Sequence, residues 1–143
     1  MRNGLPFSIL IVDDDEDDRM VIDEAFVSIG YGDKVKGFID GKALLHYLGE
    51  VEPELYPTLI VLDNTLPQLN AGDLIGILKS TPAYEAIPVV VYTTLLTPSR
   101  KEQLMAAGAT ACLEKGSSME DVKRVATELK NMAEQGSKEA GAL

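Results

Sequence analysis

The chain is poor in several residue types, and each shortage removes a class of function. It has one cysteine, Cys112, in 143 residues, so an intramolecular disulfide cannot form and a thiolate metal cluster has no ligands. It has one histidine, His46. With no second histidine and no cysteine nearby, His46 reads as a surface residue of a helix whose apolar side is Leu44, Leu45 and Leu48. Basic residues are outnumbered, 13 Lys and Arg against 23 Asp and Glu, for a net charge of −10. An acidic surface repels nucleic-acid phosphates and anionic headgroups, so neither nucleic acid nor membrane is an expected partner. No apolar run approaches the ~20 residues that a membrane-spanning helix needs. The N-terminal MRNGLPFS lacks a secretory apolar core. A cytoplasmic domain that meets proteins or cations is expected.

What is present is enough apolar sequence, 45%, for one domain with a real core. Three runs rich in Ile, Val and Leu do not alternate with polar residues: Ile9 to Val12, Leu59 to Leu62 and Ile87 to Tyr92. Strands buried on both faces of a parallel sheet read this way. Val35 to Ile39 and Thr110 to Leu113 are weaker candidates. Between the runs lie helical stripes: Ile22, Ala25, Phe26 and Ile29, then Leu44, Leu45 and Leu48, then Leu74, Ile75 and Leu78. Thr97-Pro98 reads as a cap and first-turn proline with Gly108 closing that helix. Ser117 with Glu120 fits a capping box before Val122, Val125, Ala126, Leu129 and Met132. Met119 and Met132 read as helix-face packing. The tail, residues 134–143, has little to bury and is expected to be frayed or disordered. Five β-α repeats argue for an open parallel α/β sheet with helices on both faces.

Such sheets place their sites at the carboxyl ends of the strands. There the sequence has Asp13 and Asp14 after the first run, Asp63 after the third, Thr93 and Thr94 after the fourth, and Lys115 after the fifth. Crowded carboxylates take up a proton or a cation, and hard oxygen ligands with room for water suit Mg²⁺. A lysine and a hydroxyl beside a metal-bound carboxylate are what a phosphoryl group requires, because its transfer is catalysed by positioning and charge neutralisation. One aspartate would then be the nucleophile. Asp63 is the better choice, since the apolar LIVL before it holds it rigidly. The rest of the acidic run has simpler readings. Glu16, Asp17 and Asp18 suit a solvated helix start, where negative charge meets the helix dipole favourably, and Asp15 is ambiguous. Asp13, Asp15, Asp17 and Glu24 also fall at EF-hand loop positions, but Asp18 stands where that loop needs glycine.

VDD at Val12 to Asp14, LDNTLP around Asp63, Thr93 with Thr94, and Lys115, in this order and spacing, resemble the response-regulator receiver domain family over Ser8 to Ala133. The resemblance implies a receiver domain over 1–133 with a flavodoxin-like, doubly wound (βα)5 fold and sheet order 2-1-3-4-5. It implies a stand-alone receiver of a two-component phosphorelay rather than an enzyme, taking a phosphoryl group onto Asp63 from the phosphohistidine of a sensor histidine kinase or phosphotransfer protein. Asp13, Asp14 and Asp63 with the backbone carbonyl of Thr65 would hold Mg²⁺. Thr93 would hydrogen-bond the phosphoryl group and Lys115 would pair with it. The signal would pass by protein contact to a downstream protein through helix 4, strand 5 and helix 5, a face that also allows a homodimer. IPVVVYTT and LLTPSRKEQL are similar to the single-domain regulators that serve bacterial phytochrome-type and other hybrid kinases. Two other readings remain: an aspartyl-phosphate phosphatase, with Asp13 as nucleophile and Asp15 completing its acidic pair, and a pseudo-receiver that only binds a partner.

Three positions depart from the family's pattern. Cys112 stands where an aromatic switch residue is usual, and a small buried strand residue is its simpler reading. Gly116 replaces the usual proline after the lysine. A non-proline cis bond costs ~3 kcal/mol, so a trans bond is expected. Ala71 takes a position where glycine is usual, with Gly72 one place later, so the turn must tolerate alanine or shift.

Overall fold

The computed structural model describes residues 7–141, with side chains through residue 135. Five strands, β1 (Ile9–Val12), β2 (Val35–Phe38), β3 (Leu59–Leu62), β4 (Val89–Thr93) and β5 (Ala111–Glu114), alternate with five helices. These are α1 (Glu16–Ser28), α2 (Gly41–Glu50), α3 (Ala71–Ser80), α4 (Pro98–Ala107) and α5 (Met119–Gly141). The sheet order is β2-β1-β3-β4-β5, and every pairing is parallel.

The all-aliphatic β1 and β3 are buried at every position because both of their faces are covered. Alternation divides their side chains between two cores. Leu10, Val12, Ile60, Leu62, Val89 and Val91 pack with Leu44, Leu48, Leu74, Leu78 and Leu104 of α2, α3 and α4. Ile9, Ile11, Leu59, Val61, Val90 and Tyr92 pack with Phe26 of α1 and Ala126 and Leu129 of α5. The sheet is therefore doubly wound, with two helices on one face and three on the other.

Register sets the position of the strand-end residues. Val12 lies beside Leu62, Leu62 beside Val91, and Thr93 beside Glu114. Asp13, Asp63, Thr93 and Lys115 consequently leave the sheet along one edge, where a parallel arrangement collects its carboxyl ends.

Most helix starts follow their sequence signals. Thr97 accepts from the Arg100 amide, Pro98 opens α4, and Gly108 closes it at φ 123°, a conformation that favours glycine. Asn70 and Asp73 form a reciprocal capping box at α3. The expected box at α5 is displaced by one residue, with Ser118 Oγ, not Ser117, accepting from the Asp121 amide at 3.1 Å. Among the α5 residues whose side chains are described, through residue 135, the last buried one is Ala133, and the backbone is helical to Gly141 where a frayed or disordered tail was expected. Glu134, Gln135, Lys138, Glu139 and Ala140 extend an existing helix at little cost because nucleation has already occurred, which offsets the weaker propensities of Gly136 and Ser137. Residues 142 and 143 lie outside the described residues.

His46 is exposed and lies 3.7 Å from Glu50, in agreement with its reading as a surface residue. Met132 packs on the α1/α5 core. Met119, expected to pack as well, is exposed, because α5 begins there and its first turn projects beyond the stripe. Among the described residues, no helix is long and apolar enough to cross a membrane.

Candidate functional site: an acidic crevice closed by a lysine

Asp13 follows β1 directly, and its amide donates to the Phe38 carbonyl at 3.0 Å, which fixes its backbone. Its side chain is buried, at 4% exposure for the residue. Oδ1 accepts from the Asp15 amide at 3.0 Å, and Oδ2 accepts from Lys115 Nζ at 2.7 Å. Arg19 Nη1 donates to the Asp13 carbonyl at 2.5 Å. Burial pushes the Asp13 carboxyl above its usual range, against the hydrogen bonds from Lys115 and the Asp15 amide.

Asp63 is held in the same way at the end of β3, its amide donating to the Val12 carbonyl at 3.0 Å. Its residue exposure is 8%. Its Oδ2 accepts from Lys115 Nζ at 3.2 Å, and Oδ1 has only a 3.4 Å contact with the Thr65 amide. Asp14 is exposed. One carboxylate oxygen from each of Asp13, Asp14 and Asp63 lies within 4.8 Å of the others, a hard-oxygen donor set suited to a divalent cation.

Lys115 comes from the opposite end of the sequence. Its amide donates to the Thr93 carbonyl at 2.8 Å, which extends the β4-β5 ladder by one step and aims the side chain along the sheet edge. The side chain is only 10% exposed. Burial pulls the ammonium pKa down, but hydrogen bonds to Asp13 and Asp18 and the charges of Asp13 and Asp63 outweigh this. The net shift is upward. The lysine is therefore a fixed positive charge in the crevice. Thr93 ends β4 and is buried, whereas Thr94 is exposed, so Thr93 is the threonine held in the sheet.

The structure brings Asp13, Asp14, Asp63 and Lys115 together, with Thr93 on the same edge. It also corrects one reading. Asp18, expected to be a solvated helix-start residue, places Oδ2 2.8 Å from Lys115 Nζ. Asp15 is resolved as the α1 cap, its carboxylate accepting from the Asp18 amide at 3.0 Å. The calcium-loop alternative has no loop, because α1 is already helical at Glu16 and Asp17 and Glu24 point to solvent. Sequence reasoning also missed Arg100, whose Nε donates to Asn64 Oδ1 at 3.0 Å and so links α4 to the residue after Asp63. The available signal was its position in the first turn of a helix that starts at the site edge.

The three departures have local explanations. Cys112 is a buried member of the core under α4, as its simpler reading had it. The turn after Asp63 tolerates Ala71 because its left-handed residue is Gln68, at φ 66°, and Ala71 is an ordinary first-turn residue of α3. The described residues contain no cis peptide bond, so the bond to Gly116 is trans. A Cβ at Gly116 would come within 2.2 Å of Asp121 Cβ, a contact that would also exclude proline from this loop conformation. Gly116→Ala is expected to destabilise the fold by about 1–3 kcal/mol, the usual range for overpacking. Urea denaturation measures it, and an unchanged midpoint would show that the loop can yield.

A doubly wound parallel sheet with strand-end aspartates Asp13 and Asp63 held by one buried lysine defines a flavodoxin-like receiver. The description "Response regulator receiver domain" matches residues 9–127, and the chain belongs to that family. It is 33% identical over 127 residues to the "Probable methanogenesis regulatory protein FilR2" of Methanothrix harundinacea, covering 87% of this chain and 82% of that one. It is 33% identical over 92 residues to Response regulator Rcp1 of Synechocystis, covering 62% of this chain and 63% of that one. Among solved structures, the phosphorylated cyanobacterial phytochrome response regulator RcpA has the same fold, with a TM-score of 0.75 and 23% identity over 87% of this chain and 91% of that one.

Proposed function

We propose that this receiver accepts a phosphoryl group on Asp63 from the phosphohistidine of a sensor histidine kinase or phosphotransfer protein, and passes its state on by protein contact. The observation that carries the reading is the lysine Nζ 3.2 Å from Asp63 Oδ2 inside a cluster of carboxylates that repel one another. In the transfer an Asp63 oxygen bonds to phosphorus, the phosphorus–nitrogen bond breaks, and its electron pair returns to the imidazole nitrogen. Lys115 offsets charge on the phosphoryl oxygens, and Thr93 orients the group through its hydroxyl. Asp13, Asp14 and Asp63, with the Thr65 backbone carbonyl, are the residues that would hold Mg²⁺. When bound, the ion supplies charge neutralisation at the transferring group.

Asp63 is favoured over Asp13 as the nucleophile by their contacts. Both Asp13 oxygens accept strong hydrogen bonds, while Asp63 Oδ1 has only the long one. Asp15, which a phosphatase would use as the second member of its acidic pair, is occupied as a helix cap. The pseudo-receiver reading is disfavoured because every position the chemistry needs is filled. Self-catalysed phosphorylation and its reversal by water would then be the only reactions. The face formed by α4, β5 and α5 is the candidate for a downstream protein or a second copy, since Arg100 ties α4 to Asn64. A phytochrome-type kinase is the first donor to try, given the shared fold with the cyanobacterial phytochrome response regulator RcpA. A cytoplasmic location belongs to the same reading, because phosphohistidine donors are charged from ATP.

Incubation with phosphoramidate in Mg²⁺ or in EDTA, followed by peptide mapping, tests this. Label is expected at Asp63 and at least about tenfold slower in EDTA, since electrostatic neutralisation supplies most of the catalysis. Label at Asp13 would support the phosphatase instead.

A further inference from the structure

Lys115 Nζ has three N–H donors, and three carboxylates receive them: Asp13 at 2.7 Å, Asp18 at 2.8 Å and Asp63 at 3.2 Å. The contact to Asp18 is shorter than the one to the acceptor itself. Asp18 differs from the other two in placement. It belongs to the first turn of α1 rather than to a strand end, and its side chain is 43% exposed while those of Asp13 and Asp63 are 6% and 9%. It is also not part of the Asp13, Asp14 and Asp63 group whose oxygens converge within 4.8 Å. A cation held by that group would relieve Asp13 and Asp63 of their need for the ammonium and leave the claim of Asp18 intact.

We propose that Asp18 is a positioning residue that competes with the incoming phosphoryl group for Lys115 and thereby slows phosphorylation of Asp63. The inference rests on the phosphoacceptor reading above. An ammonium shared with Asp18 has one donor fewer for the phosphoryl oxygens, and the Asp18 charge offsets part of its field at the reacting group. Tyr92 limits its other options, since the Lys115 ammonium already lies 5.8 Å from that ring's centre. The geometry thus makes the rate of acceptance a property of an α1 residue that never touches the phosphoryl group.

The test compares initial labelling rates by phosphoramidate in Mg²⁺ for the wild type, Asp18→Asn, Asp18→Glu and Asp17→Asn. A partly exposed ion pair couples by up to ~1 kcal/mol, so Asp18→Asn is expected to label about three- to fivefold faster. Asp18→Glu, which keeps a carboxylate within reach, is expected to return towards the wild-type rate. Asp17→Asn removes a charge from the same helix turn without touching Lys115 and is expected to leave the rate unchanged. An unchanged or slower rate in Asp18→Asn overturns the proposal, as does an equal acceleration in Asp17→Asn, which would assign the effect to general repulsion of an anionic donor. A wild type that takes no label overturns the phosphoacceptor reading together with this inference. Wild-type labelling with no response to Asp18 overturns the inference alone.

Discussion

Asp63→Asn is expected to reduce phosphoryl labelling below about 1% of the wild-type rate, because an amide oxygen cannot form the acyl phosphate and the other carboxylates of the crevice are either held by Lys115 or on its exposed side. Asp13 and Asp18 are both committed to Lys115, and Asp14 is on the exposed side of the cluster. The fold should survive the substitution. Repulsion from Asp63 is one of the influences that raise the Asp13 carboxyl, after burial. Removing that charge relieves repulsion at the cost of one long hydrogen bond from Lys115, so the unfolding free energy should change by less than about 1 kcal/mol. Intact-mass analysis after phosphodonor treatment and a thermal melt test the two halves separately. Stoichiometric labelling of this variant would remove Asp63 from its role, while loss of the melt would assign it a structural one.

Lys115→Met has the opposite character, a large effect on stability as well as on chemistry. Methionine fills most of the lysine's volume but leaves Asp13, Asp18 and Asp63 without the ammonium that now bridges them. Removing one partner of a buried ion cluster leaves uncompensated charge, and the expected cost is about 3 kcal/mol in the presence of a chelator. Mg²⁺ should stabilise the variant more than the wild type, because a cation bound only by the folded state contributes through mass action and is needed more where the lysine is absent. Phosphodonor labelling should fall about a hundredfold, the scale expected when one preorganised charge is taken from a transferring group. Urea titrations in EDTA and in Mg²⁺ measure the first effect, and labelling in Mg²⁺ measures the second. Equal stability of the variant and the wild type in EDTA would mean that solvent already satisfies the three carboxylates.

β1 and β3 begin and end where their aliphatic runs do, because a strand buried on both faces must be apolar throughout. β4 starts at Val89 rather than Ile87, since the Ile87 amide is used in a turn to Tyr84 and Pro88 has no amide to donate. β5, an edge strand and only partly buried, carries the weakest pattern and is displaced by one residue. The α5 cap falls on Ser118 rather than Ser117 for a similar reason, as two adjacent serines offer the same chemistry and packing chooses between them.

The amino-acid sequence alone determined the class of fold, the bounds of β1 and β3, and the identity of the residues that gather at the carboxyl ends of the strands, because hydrophobic periodicity and the parallel-sheet rule are both one-dimensional signals. Only the tertiary structure decided how the acidic run is divided: Asp13 in the crevice, Asp15 in the α1 cap, and Asp18 on the Lys115 ammonium. Asp18 and Lys115 are 97 residues apart. Their contact depends on the position of α1 against the loop after β5, and that position is set by the packing of α1 and α5 on one face of the sheet rather than by any local preference of the chain. Six consecutive carboxylates look alike in a sequence because each is equally charged and equally polar. They differ in the folded chain because a helix starts among them and turns one towards the sheet edge and its neighbours towards water.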